Sequence, residues 1–239
     1  LNGVFVTGTG TEVGKTIVAA AIARTLSAEG NRVAVFKPAV TGLAEGANGG
    51  ADGPIRQGDL DVSARRPPEP DHHLLRRAAG SGQGDDEIAP YRYGPPASPH
   101  LAAALAGEEI DPERLRVAAR AAAANADVLV CEGVGGLLVP LRGDYLVRDL
   151  AVDLGLPLVI AASPGLGTIN HTLLTIEAAR SAELAVKAVV LTPWPESPSA
   201  IEVSNRETLE SLSGATVERL PLLDLDSPRT WPSLLGRRA

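Results

Sequence analysis

The segment Gly8 to Thr16, GTGTEVGKT, fits the spacing GxxxxGK[ST] and lies between an apolar, strand-like run at Val4 to Val6 and an Ala-rich stretch of helical character. A loop of this kind constrains the chain on both sides of it. Glycines at Gly8, Gly10 and Gly14 admit backbone conformations that turn successive N–H groups inward, and the helix that follows aims its positive end at the same point. The segment therefore demands a strand, loop and helix built around an anion. Within that unit Lys15 reaches the β- and γ-phosphates and the Thr16 hydroxyl is placed to ligate Mg²⁺. A dinucleotide turn, GxGxxG, would need glycine where Val13 stands and an acidic residue ending the second strand, where the chain has Lys37. Nucleoside triphosphate chemistry is the expectation.

Strand-type runs rich in Val, Ile and Leu recur at Val4 to Val6, Val33 to Phe36, Val128 to Cys131, Leu158 to Ala161 and Val186 to Leu191. Helical stretches separate several of them, which predicts an α/β fold of the P-loop NTPase type: a largely parallel sheet with helices on both faces. The first helix is expected from about Lys15 to Glu29, stopped by Gly30, and another from Pro112 toward Asn125 behind the cap Asp111. Later helices are expected over Asn170 to Ala182 and Ala200 to Ser213. A length of 239 residues with 44% hydrophobic content is compatible with one large domain. The stretch Leu43 to Pro99 departs from the pattern, with dense Gly, Pro and charge, and reads as an excursion over the nucleotide side. Gly42 to Pro54 and Ala79 to Gly84 are its least ordered parts on composition. Beyond Pro221 an irregular tail is expected.

A formal net charge of −7 gives no global attraction to nucleic acid or to an anionic membrane, so small anions must be caught locally. No apolar run approaches the roughly 18 residues of a membrane span, the single Cys131 has no intrachain partner, and the strand-like opening residues show no basic, cleavable signal pattern, so none is expected. A cytoplasmic protein, acting on neither membrane nor nucleic acid, is expected.

In an open parallel sheet the ligand crevice lies beyond the carboxyl ends of the strands. After Val33 to Phe36 comes Lys37, in KPAVTG, with a hydroxyl at Thr41. After Val128 to Cys131 comes Glu132, followed by GVGG; a carboxylate ending a strand beside a P-loop suits Mg²⁺. Asp59, in RQGDLD, is a further carboxylate for the metal if its loop folds back, although Asp61 and neighbouring acids are equally available. Asn170 and His171 open an expected helix, where backbone N–H groups could receive a carboxylate and Asn170 could equally act as a cap.

Taken together, GTGTEVGKT, KPAVTG, ASPHLAA (Ala97 to Ala103), CEGVGG with LLVPL (Cys131 to Leu141) and LGTINHTLLT (Leu166 to Thr175) resemble the dethiobiotin synthetase family over most of the chain. The resemblance implies a homodimeric P-loop ligase that uses Mg²⁺, ATP and CO₂ on 7,8-diaminononanoate, with the substrate carboxylate bound near the dimer interface. It further implies Lys37 as the active-site lysine, with Lys15 and Thr11 acting beside it. Thr41 and Asn170 become substrate contacts, and Thr16, Asp59 and Glu132 the metal ligands. Nucleotide contacts carry over to Glu12, Val13, Gly14, Lys15, Thr16, Ile17, Asp59, Glu132, Gly133, Val134 and Gly135. The base falls near Thr192, Pro193, Pro221, Leu222 and Leu223.

One departure bears on the base: where many members of that family carry an Asn-Asp pair, this chain has Thr192 and Pro193, followed by Trp194. Threonine offers only a hydroxyl and proline no N–H, so weak discrimination among nucleotides is expected. A partitioning or regulatory ATPase often carries an additional lysine at the start of its P-loop, and Thr7 to Thr11 contains none. Cys131, inside an apolar strand, reads as core rather than nucleophile. The adjacent His72 and His73 are not expected to face one metal from a helix.

Overall fold

The computed structural model describes residues 1–43 and 69–236. In chain order it contains β1 (Gly3–Gly8), α1 (Lys15–Ala28), β2 (Val33–Phe36), α2 (Asp71–Ala79), α3 (Asp85–Ile88), α4 (Pro99–Leu105), α5 (Pro112–Ala123), β3 (Val128–Gly136), β4 (Pro140–Arg142), β5 (Tyr145–Leu146), α6 (Val147–Leu154), β6 (Leu158–Ala162), α7 (Thr168–Arg180), β7 (Val186–Trp194), α8 (Ala200–Leu212) and β8 (Thr216–Pro221). Six strands form one parallel sheet in the order β2-β3-β1-β6-β7-β8, and β4 and β5 pair as a small antiparallel hairpin. The expected fold class is borne out.

The central strands are continuous apolar runs because both faces of the sheet are covered. Alternation then assigns side chains to faces. Val4, Val6, Val33, Val35 and Val130 join α1 and α2 in one core cluster, with Ile22, Leu74 and Leu75. Phe5, Phe36, Leu129 and Cys131 point the other way, into a second cluster with Leu115 of α5 and Leu150 of α6. Cys131 is fully buried there, as core.

Local signals explain most boundaries. Asp111 Oδ1 accepts from Glu113 N at 2.9 Å and Pro112 opens α5, as read from the sequence. Gly30, at φ 90°, follows the end of α1. Two expectations need correction. α7 begins at Thr168 behind Gly167, so Asn170 lies inside the first turn and is not the cap. β8 forms where TVERLP gave no strand signal; it is an edge strand held by pairing with β7.

The described part of the 43–99 excursion, residues 69–99, is better ordered than its composition suggests. α2 ends at Gly80 (φ 64°), the residues after β2 pair with the segment before α4 through Val40 N to Tyr91 O (2.9 Å) and Tyr93 N to Val40 O (2.8 Å), and Gln83 closes the open edge of β2. Its Oε1 accepts from Val35 N at 2.9 Å and its Nε2 donates to Val35 O at 3.0 Å. One side-chain amide thus replaces a missing neighbouring strand at a residue that is 0% exposed. Gln83→Ala orphans both Val35 groups and should cost about 1–3 kcal/mol in urea unfolding. A loss below about 0.5 kcal/mol, the range of an ordinary surface change, would contradict this role.

Candidate active site

Strand order and register assemble the site before any side-chain chemistry is considered. β3 lies between β2 and β1, with Phe36 beside Cys131 and Val6 beside Glu132. One step further along β2 therefore brings Lys37 beside Glu132, at the strand ends next to the phosphate loop. Parity sends both side chains to the α1–α2 face, since 33, 35 and 37 share a side, as do 130 and 132. Lys37 leaves the sheet there, its N–H donating to Ile88 O at 2.8 Å.

The result is a compact charged cluster. Lys37 Nζ donates to Glu132 Oε1 at 2.6 Å and to Asp71 Oδ2 at 2.5 Å, and the Thr16 hydroxyl donates to the same Glu132 oxygen at 2.8 Å. Glu132 is 0% exposed and Lys37 4%. Burial works against the charge on Lys37, but Glu132 and Asp71 outweigh it and hold the ammonium above the ordinary lysine value. Burial pushes Glu132 up against the pull of Lys37. Asp71, nearer to solvent, is desolvated in part, yet Lys37 and Thr16 hold it below the usual carboxylate range. Lys15 is drawn down by burial, opposed by Glu132, and its Nζ donates to Gly10 O at 2.8 Å across the phosphate loop.

Asp71 was missed in the sequence. The readable signal was an acid at the first position of a helix behind Pro70, but several acids in the same charged stretch competed with it. Asp59, expected in this role, lies outside the described residues.

The loop itself follows the anion-cradle logic. Gly14, at φ 87°, is the N-terminal boundary of α1, and no side chain caps that helix end. Glu12 adopts φ 59°, and Thr11 and Glu12 are exposed. Val13 and Ile17 are half-buried against the α1–α2 core. Among the GVGG residues, a Cβ at Gly133 would stand 2.9 Å from Phe5 Cε1 and one at Gly135 would stand 2.8 Å from Val139 Cγ2, so both have packing reasons to be glycine. Val134 also packs on the opposite core. Thr41 is half-buried just beyond the Val40 bridge.

Beside the phosphate loop lies a pocket of about 270 Å³ lined by Thr9, Gly10, Thr11, Val13, Ser163, Leu166, Thr168 and His171. It forms because β6 neighbours β1, setting the β6–α7 turn against the P-loop. The N-terminus of α7, like that of α1, is led by a left-handed glycine (Gly167, φ 89°) with no side-chain cap. Asn170 is exposed and is not among the lining residues; Thr168 and His171, from the same turn, are. On the other flank, Thr192 at 3% exposure packs its methyl toward Gly14. Pro193 is exposed, Trp194 pairs with Pro221, Leu222 is 84% exposed and Leu223 packs on the core.

A parallel sheet with a phosphate loop, a buried strand-end carboxylate and a second lysine on the adjacent strand defines a P-loop nucleotide-binding α/β protein. A family model described as "AAA domain" matches residues 2–225. The chain is 37% identical over 241 residues to the ATP-dependent dethiobiotin synthetase BioD of Anaeromyxobacter dehalogenans (strain 2CP-1), covering 100% of this chain and 94% of that protein. It is 32% identical over 217 residues to the BioD of Bacillus subtilis (strain 168), with coverage of 91% and 85%. The chain belongs to the ATP-dependent dethiobiotin synthetase family.

A Cβ at Gly14 would meet Thr192 Cγ2 at 2.7 Å, at a backbone angle L residues avoid. Gly14→Ala should therefore lose about 1–2 kcal/mol of stability and bind nucleotide more weakly in calorimetric titration. Wild-type values for both would contradict the packing of β7 on the loop.

Proposed function

We propose that this chain is an ATP-dependent dethiobiotin synthetase, a carbon–nitrogen cyclo-ligase of biotin biosynthesis that joins CO₂ to 7,8-diaminononanoate and closes a ureido ring. The observation that carries the reading is the doubly paired, buried Lys37 beside the phosphate loop. A second cation held beside the phosphate loop supports a role at the terminal phosphoryl group, in a family whose named members are ATP-dependent synthetases.

One substrate amine and CO₂ give a carbamate. Its oxygen attacks the γ-phosphorus, releasing ADP, and the second amine displaces phosphate from the resulting carbamic-phosphoric anhydride. Such a sequence needs no protein nucleophile, which fits a site of charges rather than thiols or hydroxyl–base pairs. Lys15 and Lys37 gather the negative charge of the equatorial oxygens, and Thr11, exposed on the rim of the neighbouring pocket, orients the carbamate. The uncapped α7 turn offers backbone N–H groups, with Asn170 and Thr41, to hold the diamine substrate.

The donor set suits Mg²⁺. Glu132 Oε2 is buried without a hydrogen-bond partner, and the Thr16 hydroxyl and Asp71 carboxylate lie beside it, all hard oxygen donors. Thr16, Glu132 and Asp71 would hold the ion, with Asp71 in the role expected of Asp59; when bound it neutralises charge on the β- and γ-phosphoryl oxygens. The nucleotide follows the P-loop from Glu12 to Ile17, with its base toward Thr192, Pro193 and Pro221 to Leu223. Function as a homodimer in the cytoplasm completes the reading. Among the described residues no helix is long and apolar enough to cross a membrane.

Purified protein with Mg²⁺, bicarbonate and nucleotide should release phosphate only when the diamine is present. Diamine-independent hydrolysis stimulated by a protein or DNA partner would instead indicate a nucleotide switch. Lys37→Gln should fold and bind nucleotide while losing about 10²- to 10³-fold in turnover, the usual cost of a transition-state charge contact; near-normal turnover would remove Lys37 from the catalytic set. Because Thr192 spends its methyl on Gly14 and Pro193 has no N–H, initial rates with ATP, CTP and GTP should differ by less than about tenfold, the worth of one neutral hydrogen bond. Strong preference for ATP would contradict this account of the base site.

A further inference from the structure

We propose that His72 Nε2, His73 Nε2 and Asp85 Oδ2 form a second metal site, for a borderline divalent cation of the zinc type, separate from the magnesium-binding cluster at the phosphate loop. One ligand atom from each residue lies within 4.8 Å of the others, and His73 Nε2 at 3.1 Å and His72 Nε2 at 3.8 Å face the same carboxylate oxygen. Adjacent on α2, the two imidazoles lie with ring centroids 4.3 Å apart, and α3 brings the Asp85 carboxylate up to the Nε2 atoms of both.

Two observations point to a ligand rather than to a simple ion pair. The His72 imidazole is only 3% exposed and makes no hydrogen bond; its Nε2 faces Asp85 Oδ2 at 3.8 Å, beyond hydrogen-bonding distance. A buried imidazole left this way is costly as a structural residue but suited to coordination. The other Asp85 oxygen, Oδ1, accepts from Arg76 Nη1 at 2.8 Å, which fixes the carboxylate with Oδ2 turned to the histidines, as outer partners of metal ligands do. Two imidazoles and one carboxylate, with the side chains of Asp85 and His73 partly exposed, leave an open position for water.

The site would staple α2 to α3. Those helices reach Lys37 from two sides, α2 through the Asp71 carboxylate next to His72 and α3 through the Ile88 carbonyl. Its occupancy therefore bears on how firmly the catalytic lysine is held.

The test is calorimetric titration of the purified chain with ZnCl₂ in excess Mg²⁺, repeated for His73→Ala and Asp85→Asn, with Co²⁺ visible absorption as a second readout of coordination. His73 is partly exposed, so its variant should fold, and circular dichroism checks this. One Zn²⁺ per chain is expected, weakened at least roughly 10- to 100-fold in each variant, with Zn²⁺ raising the urea midpoint of the parent protein only. Zinc affinity unchanged in both folded variants, or no saturable binding to the parent, would overturn the proposal.

Discussion

Everything at this site depends on one buried charge. Glu132 ends an apolar strand with no exposure to water, a position at which an isolated carboxylate would be severely destabilising. It persists because Lys37 and Thr16 both donate to one of its oxygens. Breaking such a pair by removing one partner typically costs about 3–5 kcal/mol. Because replacing a whole buried pair by packed apolar side chains is often neutral, the pair matters more as a constraint than as a net source of stability: it fixes where Lys37 stands, beside the phosphate loop. Asp71 then completes the neutralisation from the solvent side.

The sheet is what brings these groups together. Glu132 and Lys37 are 95 positions apart in sequence and become neighbours through the β2–β3 register, while β1 delivers the phosphate loop on the other side of β3. α1 and α2 cover the same face, so Thr16 and Asp71 arrive from above onto the strand ends. The opposite face contains the larger aromatic core, with Phe5 and Phe36, and carries none of this charge. Fold and site are linked here by alternation: a shift of β3 by one residue would send Glu132 into the Phe5 side and empty the site.

Much of this was legible in the sequence, for identifiable reasons. The phosphate loop announces itself because its residue types answer a backbone requirement, and the five apolar runs stand out because strands buried on both faces cannot alternate with polar residues. Lys37 and Glu132 followed from the rule that ligands gather at strand ends. What escaped notice depends on tertiary context. β8 is stabilised by pairing rather than by its own pattern, and the order at Gln83 comes from an amide that supplements a strand edge. Asp71 was one acid among several until α2 was placed over β2. Asn170, open to reading as a cap or as a carboxylate contact, lies inside the first turn because α7 begins two residues earlier. The approach of Asp85 to both His72 and His73 depends on where α3 packs, which no local pattern encodes.

The central claim is that Lys37, Lys15 and the carboxylates of Glu132 and Asp71 converge on one terminal phosphoryl group. A crystal structure of the chain with Mg²⁺, an unhydrolysable nucleoside triphosphate and the diamine tests it most directly. The account predicts both lysine Nζ atoms within hydrogen-bonding distance of γ-phosphoryl oxygens, and the metal held by Thr16 and Glu132 with Asp71 beside it. A triphosphate tail lying away from Lys37 and Glu132 would contradict it.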